Sequence, residues 1–394
     1  QVAVATPWPP QRSGIADYSA ATVGALADLA DVTVFTTSDG QVDGTLHPTI
    51  TQRHVDELLA DPSLAREFDV VVSVIGNSHF HVPFLELLGK VDAVAIAHDT
   101  RMVEYYTAMR DKGGAIQVML RGQERREITP GFDDQLEDLR LLQNAGLWEI
   151  AHQATSLVLH SPVSAPRIEA ETGIRPHVLP FAHYRQPHVG EVTEAVRQDA
   201  RHRLAFSPDR IHLATFGYVD VRTKLVDVVV EAAAWLTQWG HPVALHLAGA
   251  ASPDLAAELS HRAQEAGIAE FEITGYLDED RFRDYLLAID LGVQLRISPL
   301  LGVSGPLADL AAYGTPALGS QGLAIDVGTP DFIDRLPDQV SPLVVAEAIE
   351  YRLAHPVSPQ EREEQRLAYL EAKSPARYAQ ALLDVLSEVT GGRP

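Results

Sequence analysis

The sequence predicts an α/β protein built from two doubly wound parallel sheets in tandem. Three observations carry this. Short, continuous apolar runs alternate with segments of helical spacing, first between residues 2 and 159 and again between 211 and 313. Runs without polar alternation suit strands covered on both faces. A stretch of little periodicity, 178–190 (VLPFAHYRQPHVG), separates the two series. The length of 394 residues is long for one core and suits two domains of ordinary size.

Residues 2–6 are small and apolar and lead into a proline-rich loop, which reads as a buried strand leaving its sheet. Val23, Leu26 and Leu29, with alanines between, give helical spacing, and 32–35 is a second strand. The runs 69–75 and 93–97 are two more strands, 101–155 is richer in charge and helical in pattern, and 156–159 is the next strand. Strands alternating with helices indicate a parallel, doubly wound sheet. The second series repeats the logic: strand 211–216, helix 226–239, strand 243–248, helix 255–264, strands 270–274 and 291–295, and a helix 304–313 closing at Gly314. Beyond about residue 340 the pattern is mostly helical, and 361–366 (EREEQR) is expected as a solvated helix face. Nothing repeats closely enough for a solenoid. The expected boundaries are 1–185, 186–375, and a terminal helix 376–394 packing back on the first domain. Two such Rossmann-like domains would face a cleft, with ligands at the carboxyl ends of the strands.

Composition narrows the chemistry. Hydrophobic residues make up 46% of the chain, enough for a well-buried interior, and there is no cysteine. Disulfides, thiolate nucleophiles and zinc–thiolate sites are therefore excluded, and a cytoplasmic location is expected. Lys and Arg total 31 against 54 Asp and Glu, a net charge of -23. That disfavours a nucleic-acid backbone or an anionic membrane as partner. No apolar run has the roughly 18–20 residues of a membrane-spanning helix, so no integral membrane segment is expected, and no secretory signal is visible. The chain opens at Gln1, inside an apolar run and without a methionine, and is expected to lack some leading residues or to be a piece of a longer protein.

Four loops could carry chemistry. In 7–18 (PWPPQRSGIADY), Gly14 follows a serine just before a helix, where backbone N–H groups can face an anion. The pair His98-Asp99 follows the 93–97 strand. A histidine there can exchange a proton or hydrogen-bond a sugar hydroxyl; Asp99 or Thr100 could equally cap the next helix. In 217–224 (GYVDVRTK), Arg222 and Lys224 stand at a helix start, where cations oppose the helix dipole unless a diphosphate neutralises them. In 295–316, Gly302, Ser304 and Gly305 form a small-residue loop before a helix that carries Asp309. Its N–H groups favour phosphate, and Asp309 can accept from vicinal ribose hydroxyls or simply favour the dipole. No D-x-D pair is placed to hold a divalent ion, Asp278-Glu279-Asp280 reads as a helix start, and no metal site is expected.

Together these loops resemble the retaining GT-B glycosyltransferases often called family four. The opening Pro9 to Ser19 resembles that family's P-P-x-x-S-G-I-A-D-Y-S start, and 75–81 (IGNSHFH) its G-N-S-x-x-H segment, followed by the H-D pair at His98-Asp99. Phe216-Gly217 with Lys224 resembles its F-G … K donor loop. Leu247-Ala248-Gly249, then Ile273 to Leu277, Leu295-Arg296, Ser304-Gly305 and Ala312 to Pro316 continue the match, which spans about residues 2–320. The resemblance implies a GT-B fold and transfer of a sugar from a nucleotide-sugar donor to a saccharide or other small acceptor. It also implies retained configuration, no metal, and no cofactor beyond the donor itself. It assigns His98, with Asp99, to the transferred sugar and Gly14 to the diphosphate or acceptor. Gly217, Arg222 and Lys224 are assigned to the diphosphate, Tyr276 and Leu277 to the base, Ser304 and Gly305 to phosphate, and Asp309 to the ribose.

Two departures stand out. The family's first motif glutamate falls at Leu301, which cannot accept a hydrogen bond, and its second is the shorter Asp309. The arginine that often follows the donor-loop glycine is Tyr218, which Arg222 could offset. They define the alternative, a catalytically impaired relative serving as a nucleotide- or glycan-binding partner subunit. A nucleotide-sugar epimerase is a further rival. A dehydrogenase is disfavoured because the first loop lacks G-x-G-x-x-G.

Overall fold

The computed structural model describes residues 1–11, 13–37, 47–110, 112–119, 144–187, 190–296 and 302–391. The chain forms two units. The first holds Gln1–Tyr184 and the C-terminal helix Pro375–Gly391, together with Gly302 and Val303; the second holds the other described residues between Arg185 and Ala372.

The apolar runs become the inner strands of two parallel sheets. In the first unit these are β1 (Val2–Ala5), β2 (Val32–Thr36), β3 (Thr51–His54), β4 (Val70–Ile75), β5 (Ala93–Ala97), β6 (Ser156–Leu159) and β7 (His177–Val178), in the order β3-β2-β1-β4-β5-β6-β7. Period-two alternation splits the inner strands between two cores. Ala3, Ala5 and Val71 face one layer with helices Val82–Leu88 and Val103–Met109, while Val2, Val4 and Val72 face another with helices Gly14–Ala27 and Pro375–Gly391. Tyr378, Leu382 and Leu386 of the terminal helix share this second core with Tyr18, Val23 and Leu26.

The second unit contains β8 (Ile211–Phe216), β9 (Val243–Ala248), β10 (Glu270–Ile273), β11 (Leu291–Gln294), β12 (Ala317–Ser320) and β13 (Ile333–Leu336), in the order β10-β9-β8-β11-β12-β13. All pairings in both sheets are parallel. Helices Val226–Gln238, Pro253–Glu265 and Pro342–Ala354 cover one face. Strand order reverses between β1 and β4 in the first sheet and between β8 and β11 in the second. Ligands of such sheets bind outside the carboxyl ends at these switch points, so the loops after β8 and β11 are marked by topology alone.

Four strands lacked a sequence signal. β3 is polar (TQRH), β7 has two residues, β13 (IDRL) is half polar, and β12 (ALGS) is buried but made of small residues. Within 101–155 the described helices are Val103–Met109, Lys112–Met119 and Trp148–Gln153. The 361–366 segment is not wholly a solvated face. Arg366 is buried and donates from Nη1 to the Ala312 carbonyl (3.2 Å), while Arg197 Nη2 donates to that of Tyr313 (2.7 Å). Helix Gly305–Ala312 ends inside the protein, and these guanidinium groups satisfy its last carbonyls. No helix among the described residues is long and apolar enough to cross a membrane.

Candidate functional site

In the second unit a cavity of about 350 Å³ opens at the carboxyl ends of β8, β9 and β10, lined by Gly217, Gly249, Tyr276, Leu277, Arg185 and Glu279 among others. A volume in this range suits a small organic ligand. A larger one, about 400 Å³, lies in the first unit against Arg66, Asp69 and Lys90 at the amino end of β4, the wrong end for a ligand of a doubly wound sheet.

Two glycines make the cavity's inner wall. The Gly217 N–H donates to the Ala248 carbonyl (3.0 Å) and the Val219 N–H to that of Ala250 (2.8 Å), so the loops after β8 and β9 run side by side. A Cβ on Gly249 would stand 2.0 Å from the Gly217 carbonyl oxygen. Gly217 itself has φ +92, and a Cβ there would lie 2.7 Å from Lys224 Nζ. The lysine amine is thus laid over bare backbone beside the cavity. Burial, with Arg296 acting in the same direction, lowers its pKa from 10.5 to about 8. Lys224 from the β8 loop and Arg296 just beyond β11 are therefore two cations at the switch point of this sheet. The sequence singled out Lys224; Leu295-Arg296 entered only as part of the resemblance, and strand order brings Arg296 near Lys224.

The other expected residues fall around this wall. Arg222 is exposed in a turn ahead of helix Val226–Gln238, not on the helix, and its N–H donates to Asp220 Oδ1 (3.1 Å). Tyr276, 91% exposed, stands at the rim after Gly275 (φ +71), next to Leu277. Ser304 caps helix Gly305–Ala312, its hydroxyl accepting from the Leu307 N–H (3.3 Å). Gly305 has open space where a Cβ would be, and Pro306 lines the cavity. Leu301 lies outside the described residues.

Asp309 is 2% exposed, behind the wall, with Oδ2 3.5 Å from Arg185 Nη1. Burial raises its pKa to about 7 against the pull of Arg185. Arg185 also donates from Nε to Glu279 Oε1 (2.9 Å), with its guanidinium carbon 5.8 Å from the Phe282 ring centroid. Asp278, as expected, caps helix Glu279–Ala288. Arg185, Glu279 and Phe282 all line the cavity. Sequence gave no signal for them, because Arg185 precedes the other two by more than 90 positions and none sits in a glycine-rich loop.

In the first unit Ser13 caps helix Gly14–Ala27, accepting from the Ile15 N–H (3.3 Å). Gly14 is exposed, with open space at its Cβ position. Gly76, just after β4, is required by crowding: a Cβ would meet Ile15 Cδ1 at 2.3 Å and His81 Nε2 at 2.6 Å. Asp99 is not a helix cap. Its Oδ2 accepts from the Asn77 N–H (2.6 Å), and Asn77 Oδ1 accepts from the Tyr105 N–H (2.9 Å), tying the loops after β4 and β5 to helix Val103–Met109. His98 lies half-buried at the end of β5, its ring centroid 4.7 Å from those of both Tyr18 and His160. Burial first, then His160 and His81, hold its pKa well below 6.5. It is a neutral imidazole at pH 7, suited to hydrogen bonding a hydroxyl and not to supplying positive charge.

No protein-family model and no curated protein matches the sequence. Solved structures do match in three dimensions. A glycosyltransferase from Rickettsia africae superposes with a TM-score of 0.67 at 10% identity, covering 99% of this chain and 98% of that one. WaaG, a glycosyltransferase of lipopolysaccharide biosynthesis, gives 0.59 at 17% identity and full coverage of both chains. HepE of Anabaena, in complex with UDP and glucose, gives 0.64 at 13% identity, covering 98% and 99%. The fold is GT-B, two Rossmann-like parallel-sheet domains.

Proposed function

We propose that this protein is a glycosyltransferase that takes its sugar from a nucleoside-diphosphate donor held in the second unit. One observation carries the reading: Lys224 is desolvated over Gly217 beside Arg296, at the switch point of a sheet whose fold is that of known glycosyltransferases. An anion bound beside Lys224 would relieve the lowering that burial and Arg296 impose on its amine. A diphosphate leaving group supplies that anion and develops charge as the glycosidic bond breaks, so these groups stabilise it most in the transition state.

In this reading Gly217 and Gly249 admit the diphosphate, and Tyr276 and Leu277 border the base. Ser304 and Gly305 present the start of their helix to phosphate, and Arg222 adds charge from solvent. Asp309 holds Arg185, which faces the cavity with Glu279. Its role at the ribose is thereby exerted through Arg185. Gly14, His98 and Asp99 serve the transferred sugar and acceptor, His98 by a neutral hydrogen bond and Asp99 by holding the Asn77 loop. We assign a retaining course, as the motif resemblance implies, and no catalytic metal, with Lys224 and Arg296 supplying the positive charge the leaving group needs. HepE binds UDP and glucose, which makes UDP-glucose the first donor to try.

The test is a thermal-shift screen of UDP-, GDP- and dTDP-sugars with their nucleoside diphosphates. Ligand at 100 times its dissociation constant adds about 2.7 kcal/mol. A shift with one nucleotide, lost in Lys224→Met, is expected, and the sugar released by slow hydrolysis should keep the donor's anomeric configuration by NMR. Absence of a shift with every nucleotide in folded protein would refute the donor site.

A further inference from the structure

A second constellation lies at the opposite end of the same sheet. His212 is the second residue of β8, and His246 stands on β9 beside it, Ala244 being the direct partner of His212 and Ala214 that of His246. Both rings are buried, at 0% and 1% exposure. Phe206 stacks on both, at 3.9 and 4.6 Å between centroids, and fixes their planes.

Each ring's outer nitrogen faces a group that can only accept. His212 Nε2 is 2.9 Å from the Ser207 carbonyl oxygen. His246 Nδ1 is 3.3 Å from Glu272 Oε2, which also accepts from the Tyr285 hydroxyl (2.7 Å). Each outer nitrogen therefore carries a hydrogen. The two inner nitrogens, His212 Nδ1 and His246 Nε2, face each other at 3.0 Å. Such a contact takes one cation between the rings, a single shared proton or a metal ion. Glu270, on the same face of β10 as Glu272, brings a carboxylate oxygen to within 4.8 Å of a ring nitrogen of each histidine.

We propose that His212 Nδ1, His246 Nε2 and Glu270 bind a zinc ion. With zinc–nitrogen distances of about 2.0–2.1 Å and tetrahedral angles, two ligating nitrogens stand roughly 3.3 Å apart, so the rings need to separate only slightly. The outer partners are those that metal-bound histidines use to fix their tautomer: a backbone carbonyl for one ring and a carboxylate for the other. Three nitrogen and oxygen ligands suit zinc in a chain without cysteine. Arg210 Nε lies 3.4 Å from Glu270 Oε2, and a carboxylate has lone pairs for both neighbours. Glu270 is only half-buried, which gives the ion an entry and water a fourth position. The ion would pin the amino ends of β8 and β10 to the middle of β9, leaving the glycine loops at the carboxyl ends free for a ligand.

The test uses the whole chain, stripped with chelator and titrated with zinc by calorimetry, and with cobalt by visible absorption. One zinc per chain, the intense visible band of tetrahedral cobalt, and a melting temperature that rises with zinc are expected. Glu272→Gln should weaken zinc by about 10- to 100-fold by loosening the His246 tautomer. Glu270→Gln, a half-buried change that leaves the rings in place, should weaken it at least as much even if His212→Gln fails to fold. No zinc uptake by the folded wild-type chain would overturn the proposal, with a shared proton then holding the rings together. Uptake unchanged in both Glu270→Gln and Glu272→Gln would also overturn it, since the ion would then sit on other histidines.

Discussion

Replacing Lys224 by methionine should weaken nucleoside-diphosphate binding while stabilising the empty protein, two effects that a merely structural lysine would not combine. Burial and Arg296 bring the amine from 10.5 to about 8. That difference corresponds to about 3 kcal/mol held against the charged form in the empty site. The folded-state value lies below the unfolded one, so the unfolded chain binds more protons between these limits. Stability of the empty protein therefore rises as pH goes from about 8 to about 10.5, and methionine should flatten that rise. A bound diphosphate reverses the balance. It restores the proton, so affinity should be highest below about pH 8 and fall by up to about tenfold per pH unit above it. At pH 9 the empty site is roughly one-tenth protonated and the occupied one nearly full, so binding should take up close to one proton. A charge-assisted hydrogen bond contributes about 1.5–3 kcal/mol, so Lys224→Met should lose roughly 10- to 150-fold in affinity at pH 7. Calorimetric titration with UDP at pH 7 and pH 9, in buffers of different ionisation enthalpy, reads all of these. A pH-independent affinity with no proton uptake, or unchanged binding by Lys224→Met, would refute the assignment of Lys224 to the diphosphate.

Three other outcomes follow from the geometry. Gly249→Ala drives a methyl group into the Gly217 carbonyl, 2.0 Å away; chemical denaturation should show a loss of about 1–3 kcal/mol or more, and nucleotide binding should fail in the protein that remains folded. Tyr276→Ala, at a 91% exposed rim position, should leave the melting temperature within a degree or two but reduce nucleotide affinity, by about 1–3 kcal/mol if the ring stacks on the base. Burial holds Asp309 near 7 in the folded protein against an ordinary 3.8. The folded state thus binds the extra proton, and stability falls as pH rises from about 4 to about 7. Asp309→Asn should remove that slope in urea unfolding at pH 5 and pH 7.5; an unchanged slope would place the titrating group elsewhere.

The sequence was most legible where burial is two-sided. β1, β4, β5, β8 and β9 are covered on both faces, so all their positions but Ser73, His212, Thr215 and His246 are apolar, and the run can be read without knowing its neighbours. β12 is as buried as these and escaped notice. Helix Gly305–Ala312 lies so close that a Cβ at Gly319 would meet Leu307 at 3.0 Å, which demands a small residue where a strand signal needs a large one. β3 sits at a sheet edge, where a polar sequence is tolerated.

The site divides in the same way. Gly217, Lys224, Tyr276, Leu277 and the Ser304–Gly305 turn were legible because each lies in one short loop after one strand or at one helix start, and local spacing is what a sequence displays. Only the tertiary structure could add Arg185, Glu279 and Phe282 to that wall, bring Arg296 near Lys224, or set His212 against His246, because the fold brings together residues from 34 to more than 90 positions apart. It also decided protonation. The neutral state of His98 and the lowered pKa of Lys224 arise chiefly from loss of solvent, and the residue type in a sequence does not carry the water around it.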